Sequence, residues 1–252
     1  MTGPGWAAAA GARALLVVDD FDPDEPVRTV GGPDGHHLAR VRRLTVDERV
    51  VVADGAGAWY EARVAAAGKD SLGLERIGPT TREPDPSPAL AVAFAAAKRD
   101  HGADVTHQLV ELGVDRLVPL VARHGVVRWD GPRAATAVDR LRRVAREAAQ
   151  QAHRARVPQV DAPAAVADLV GAPGLVVADH AVSAAGSRSC DPAAVMLAGA
   201  GECLLVVGPE GGFAPEERRA LGAAPYLTVG RHVLRAVTAP VAAAAVLVAH
   251  RA

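Results

Sequence analysis

Cys203-Leu204-Leu205-Val206-Val207-Gly208-Pro209-Glu210-Gly211-Gly212-Phe213 is the stretch that decides the fold. Five apolar residues in a row are the pattern of a strand buried on both faces, and a glycine-rich loop opens directly after them. A second stretch repeats the device: Tyr226-Leu227-Thr228-Val229 leads into Gly230-Arg231-His232-Val233-Leu234-Arg235-Ala236-Val237-Thr238-Ala239-Pro240. Between them Pro215 to Leu221 reads as a helix. In parallel α/β sheets ligands bind beyond the carboxyl ends of the strands, so these two loops can wall one pocket.

Gly211 and Gly212 can present bare backbone N–H and C=O groups to a ligand. Phosphate is the first candidate, but no Gly-Lys-Ser/Thr follows and no Gly-x-Gly-x-x-Gly leads a helix. Glu210 also puts a carboxylate where a phosphate would sit, so an acidic, glycine-lined loop suits a ligand carrying positive charge. A tight strand-to-helix turn with no ligand is the plain alternative.

Working outward, the rhythm before these loops is α/β. Leu90 to Ala96, Arg116 to Val121 and Leu175 to Ala178 read as buried strands, and Asp104 to Leu112 as a helix ending at Gly113. Ala134 to Ala155 reads as a long amphipathic helix with Leu141, Val144, Ala145, Ala148 and Ala149 on one face. Pro240 to His250 makes an apolar terminal helix. Strands alternating with helices imply a mostly parallel sheet.

Four prolines between Gly78 and Pro88 mark an extended linker. Before it, Arg13 to Val18, Arg49 to Ala53, Trp59 to Val64 and Leu72 to Ile77 are short β-like runs separated by turn signals, the spacing of a small β-barrel. The expected organisation is therefore a β-barrel over residues 1–80, a linker over 81–89 and an α/β domain over 90–252.

Length, charge and cysteines set limits. Of the 28 basic residues only Lys69 and Lys98 are lysine, a skew that fits GC-rich codon usage and discounts arginine counts as a sign of RNA binding. A net charge of −1 leaves no global footprint for nucleic acid, so any RNA contact comes from local patches. Cys190 and Cys203 lack metal-site spacing, so no metal is expected, and two lone cysteines read as reduced thiols. No signal peptide and no apolar run of membrane-spanning length are found, giving the expectation of a soluble cytoplasmic protein.

The pair Gly-Pro-Glu-Gly-Gly-Phe and Gly-x-x-Val-Leu-Arg-x-x-Thr-Ala resembles the RsmE family, SPOUT-class methyltransferases that modify N3 of a uridine in small-subunit ribosomal RNA. The resemblance extends in family order from about residue 36 to the end. His36-His37-Leu38-Ala39-Arg40-Val41-Arg42-Arg43-Leu44 is similar to the start of the family's PUA-like domain. Lys98-Arg99-Asp100, Glu111-Leu112-Gly113-Val114 with Pro119, Arg123 with Val126 to Trp129, and Glu147 to Arg154 with Pro158 match further signatures. The chain departs from the family at Ala236-Val237 (Thr-Glu or Thr-Ser), Arg99 (Gly) and Ala152 (Ser).

What the resemblance implies is specific. The fold is a PUA-like β-barrel followed by a SPOUT α/β domain with a deep trefoil knot, acting as a homodimer on 16S rRNA or the small ribosomal subunit. The cofactor is S-adenosylmethionine (SAM), held around Val207, Gly208, Pro209, Gly211, Gly212, Leu227, Gly230, Val233, Leu234 and Thr238, and its sulfonium is the cation an acidic pocket accepts. Arg235 is the candidate for stabilising charge developing on the base, with Glu210 the second catalytic candidate. Arg40, Arg42, Arg43, Lys98, Gln151 and Arg154 are the candidates for RNA contact. Another RNA target, or a non-catalytic RNA-binding or ribosome assembly factor of the same fold, are the alternatives.

Overall fold

The computed structural model describes residues 11–95, 101–127, 129, 131–179, 189–198, 201–222 and 224–251. Lys98, Arg99 and His180 lie outside them. The chain divides into two compact units: one runs to Asp85 and includes Ala149–Val157, the other comprises Pro86–Ala148 and the chain from Pro158 onward. The sequence puts a linker over 81–89 and one domain after it. The change of unit falls at Asp85/Pro86, and Thr81–Arg82 still pair with a strand of the first unit.

The first unit contains β1 (Ala14–Val17), β2 (Val27–Val30), α1 (Gly32–His36) continuing into one π-helical turn (His37–Val41), β3 (Arg49–Ala53), β4 (Ala58–Ala67), β5 (Leu72–Arg76) and β6 (Thr81–Arg82). The strands form one sheet in the order β1-β3-β4-β5-β2, with β6 on β4. Alternate residues of β1 and β3 serve two cores. Leu16, Val50 and Val52 join Tyr60, Leu72 and Leu74 on one face. Leu15, Val17, Val51 and Ala53 face the other way and pack with Trp59, Ala155 and Val157. Burial on both faces explains why these strands read as unbroken apolar runs. The segment Ala149–Val157 supplies the second cover, and Gln150 Oε1 accepts the Val17 N–H at 3.0 Å.

The second unit contains β7 (Ala89–Phe94), α2 (His101–Glu111), β8 (Arg116–Val121), α3 (Gly131–Gln151, its last turn counted with the first unit), β9 (Gln159–Val160), β10 (Ala164–Ala165) and α4 (Val166–Leu169). It continues with β11 (Leu175–Ala178), α5 (Pro192–Ala198), β12 (Glu202–Val207), α6 (Pro215–Leu221) and α7 (Thr238–Val248). The sheet is parallel, ordered β10-β8-β7-β12-β11, with β9 also on β8. From β7 the chain builds outward to β8 and β10, then returns to the far edge at β11 before β12 fills the gap beside β7. Val207 is level with both Phe94 and Ala178, so the carboxyl ends of β7, β11 and β12 finish together. That reversal of strand order is where open α/β sheets bind ligands.

The opposite, amino end of the strands is pinned by charge. The Arg116 guanidinium, at the start of β8, donates to Glu202 at the start of β12 and to Asp161, the latter at 2.6 Å. Asp115 accepts from Leu90 N–H at 2.9 Å and from Arg251 at 2.6 Å. Helix α7 covers β7 and β12 together with α2, burying Ala243, Ala244 and Leu247.

One expected strand does not form. Tyr226–Val229 makes a single parallel bridge, Tyr226 to Val177, because only Leu227 N–H and the Pro225 carbonyl are spent on β11. The long helix also stops earlier than its pattern suggests, at Gln151 rather than Ala155, and His153 takes a left-handed conformation (φ 56°) just beyond it.

Candidate active site

The glycine loop grows from β12. Phe213, fully buried, anchors it in the core, and Gly212 N–H closes a turn onto the Pro209 carbonyl at 2.8 Å. Gly212 lies at φ 66°, the left-handed region that glycine enters without a steric cost. The Glu217 carboxylate accepts the Ala214 N–H and the Arg123 N–H, both at 2.8 Å, and so ties this loop to the one after β8. His124 strengthens the tie. Its Nδ1 lies 3.2 Å from the Gly211 carbonyl oxygen and 3.1 Å from that of Gly212, so this nitrogen carries the proton.

The second loop follows the segment beside β11. Thr228 N–H donates to Ser189 Oγ at 3.0 Å, Gly230 takes φ 80°, and the Arg235 carbonyl accepts from Thr238 and Ala239 to start α7. The two loops enclose a cavity of about 280 Å³. All the residues assigned to cofactor binding from sequence line it except Thr238, as does Glu210. Thr238 is exposed at the head of α7. Arg235 is exposed outside the cavity wall and forms no ion pair with Glu210.

Two lining residues carry no signal in the sequence. Asp179, directly after β11, is 3 % exposed at its side chain and accepts from Arg218 Nε at 2.8 Å. The Asp179 charge also reaches Tyr226, whose hydroxyl is pushed up in pKa by burial and by that charge. Among the described residues no group of three or more His, Cys, Asp or Glu is placed to hold a metal ion. No helix there is long and apolar enough to cross a membrane.

The basic candidates gather in the first unit. Arg42 and Arg43 are exposed, whereas Arg40 Nε donates to the Lys69 carbonyl at 3.1 Å and to Asp70 at 3.3 Å. Gln151 and Arg154 belong to the same unit, through the segment Ala149–Val157. Burial lowers the His153 pKa and the Arg42 charge lowers it further, which sets Arg42 beside that segment. Lys98 lies outside the described residues.

One unit is a parallel sheet with two glycine loops at its switch point, and the other is a small β unit bearing arginines. An RNA methyltransferase domain matches residues 83–248, and an RNA methyltransferase PUA domain matches residues 30–75. The chain is 35 % identical over 236 residues to the ribosomal RNA small subunit methyltransferase E of Mycobacterium bovis, covering 89 % of this chain and 87 % of that one. It is 27 % identical over 224 residues to the Bacillus subtilis protein of the same name, with 86 % and 88 % covered. The chain belongs to the ribosomal RNA small subunit methyltransferase E family. Its fold is shared with the Neisseria gonorrhoeae family member solved bound to S-adenosyl methionine, at TM-score 0.74 and 23 % identity over 92 % of this chain and 95 % of the other.

Proposed function

We propose that this protein transfers a methyl group from SAM to N3 of a uridine in 16S rRNA, within the small ribosomal subunit. The observation that carries this is the cavity between the two glycine loops at the carboxyl ends of β11 and β12. Its walls fit the cofactor. The backbone is bare at Gly208, Gly211 and Gly212, where a β-carbon would meet Phe213, His124 and Arg218 respectively. Val207, Leu227 and Leu234 offer apolar surface for a nucleoside, and Glu210 and Asp179 offer negative charge for a cation.

Bound there, SAM supplies an electrophilic methyl group. The chain's own residues have three tasks. The glycine loops hold the nucleoside by backbone groups and exclude water from it. Arg235, always charged and exposed on the second loop, stabilises negative charge developing on the uracil as N3 passes its proton to solvent. Arg42, Arg43, Gln151 and Arg154 seat the RNA backbone on the first unit.

This reading includes the deep trefoil knot around β11 and β12, a cytoplasmic location and a homodimer. Val241, Ala242, Ala245 and Val246 of α7 remain only half-buried in one chain, and they support an apolar interface. Small subunits lacking the modification, incubated with the protein and methyl-labelled SAM, should yield N3-methyluridine on nucleoside analysis. Label in a different nucleoside or RNA would redirect the target, and SAM binding without any transfer would leave a non-catalytic factor.

A further inference from the structure

Among the described residues lining the cavity, Arg218 is the one whose orientation is set by a buried partner of opposite charge. Its Nε is committed to Asp179 Oδ2 at 2.8 Å, and the Asp179 side chain is 3 % exposed while that of Arg218 is 33 % exposed. With Nε committed to Asp179, Nη2 lies beside Gly212 near Asp179 Oδ1, and the Nη1–Nη2 end of the guanidinium makes no further protein hydrogen bond among the described residues. Nη2 also packs on the glycine loop, only 2.6 Å from where a β-carbon on Gly212 would stand. The result is a guanidinium held rigidly at the cavity wall, with its forked end unspent.

A guanidinium fork matches a carboxylate by two parallel hydrogen bonds, and rigid placement removes much of the entropic cost of forming them. Two features argue for a carboxylate over a phosphate. Asp179 and Glu210 line the same cavity, so a dianion would meet two negative charges. A zwitterionic amino-acid group instead meets both signs: its carboxylate faces Arg218 and its ammonium faces the acidic residues. Arg231 and His232 also line the cavity, but both are exposed on the loop beside Gly230, and no ion pair orients them.

We propose that Arg218, oriented by Asp179, binds the carboxylate of the ligand's amino-acid arm. This rests on the cofactor reading above, and binding measurements separate the two. The probes are S-adenosylhomocysteine, which carries the arm, and 5′-methylthioadenosine, the same nucleoside thioether without it. By calorimetry Arg218→Gln should weaken S-adenosylhomocysteine about 10- to 100-fold, the range for a charge-assisted contact, and leave methylthioadenosine unchanged. Asp179→Asn keeps an acceptor for Nε and should give a smaller loss, again only for the probe with the arm. Equal weakening of both probes in Arg218→Gln would mean that the pair merely braces the glycine loop, and the proposal fails. Unchanged affinity for both also overturns it. If the wild-type protein binds neither probe, the cofactor reading itself is wrong and this assignment goes with it.

Discussion

The guanidinium of Arg156 occupies the space that a side chain on Gly57 would need: a β-carbon there would lie 2.6 Å from Cζ and Nη2. Arg156 is not free to retreat. It donates to the Glu83 carbonyl at 2.7 Å and pairs with Asp85 at 2.9 Å, while its backbone bridges Gly55 and Ala56. Gly57 itself sits at φ 103°. Gly57→Ala therefore combines a left-handed strain of about 1–2 kcal/mol with displacement of an anchored arginine. We expect a loss of about 2 kcal/mol, read as a lower urea midpoint from Trp59 fluorescence. A midpoint equal to wild type would show that the Arg156 clamp contributes nothing.

Gly212 and Gly211 are neighbours with different constraints. Gly212 combines φ 66° with the Arg218 contact, whereas Gly211 lies outside the left-handed region and a β-carbon there meets only the His124 side chain at 3.1 Å. Gly212→Ala should weaken SAM binding by roughly tenfold or more, corresponding to about 1–2 kcal/mol of backbone strain in the bound loop. Gly211→Ala should cost less, because its backbone is not left-handed and His124 Cβ, at 3.1 Å, needs to give only slightly. Titration of SAM into both variants checks the order, and a larger loss in Gly211→Ala contradicts it.

What the sequence made legible follows from where burial is continuous. Arg49–Ala53, Arg116–Val121, Leu175–Ala178 and the helix Pro215–Leu221 form with the bounds read from the chain, since apolar runs there are cut off sharply by turn residues. Strand β2, Val-Arg-Thr-Val, carries no such signal. Its Arg28 is buried through Asp20 and Glu25, partners that periodicity cannot reveal. Tyr226–Val229 has strand composition but lies outside the sheet ladder apart from one bridge. At the site, the glycine loops were visible as motifs, whereas Asp179 and Arg218 meet across 39 residues and His124 reaches the loop across 87. Such pairings exist only once the sheet order brings β8, β11 and β12 together. The assignment of Ala149–Val157 to the first unit was hidden for the same reason.

The arginines near α1 should separate by what they already hold. Arg40 is occupied by Asp70 and the Lys69 carbonyl, while Arg42 and Arg43 are exposed. If the latter two contact phosphates, Arg42→Gln and Arg43→Gln should each reduce the slope of log K against log salt for rRNA binding by about 0.7–0.9. Arg40→Gln should change it by less. Filter binding across a salt series measures all three, and equal slopes would remove this face from the RNA interface.

Cys203 predicts how stability responds to alkali. It is fully buried on β12, and burial pushes its thiol up to about 11 from an ordinary value near 9, with the neighbouring Cys190 and Glu202 adding to the rise. Below pH 9 the thiol is protonated in both the native and the unfolded chain, so it exerts no pull. Between about pH 9 and 11 the unfolded chain releases this proton and the native one does not, which favours unfolding; the accumulated loss approaches about 2–3 kcal/mol above that window. Tyr60 and Tyr226, whose hydroxyls burial also raises, act in the same direction beginning near pH 10. Cys203→Ala should be about 1 kcal/mol less stable at pH 7, from the small cavity it leaves, yet lose less on going from pH 9 to 11. Urea midpoints at the three pH values decide the matter. An identical pH dependence in the variant would mean that the Cys203 thiol ionises as readily in the native protein as in the unfolded chain. A thiol reagent at pH 8 gives a second check: Cys203 should react only at the rate of unfolding, since a buried protonated thiol is a poor nucleophile.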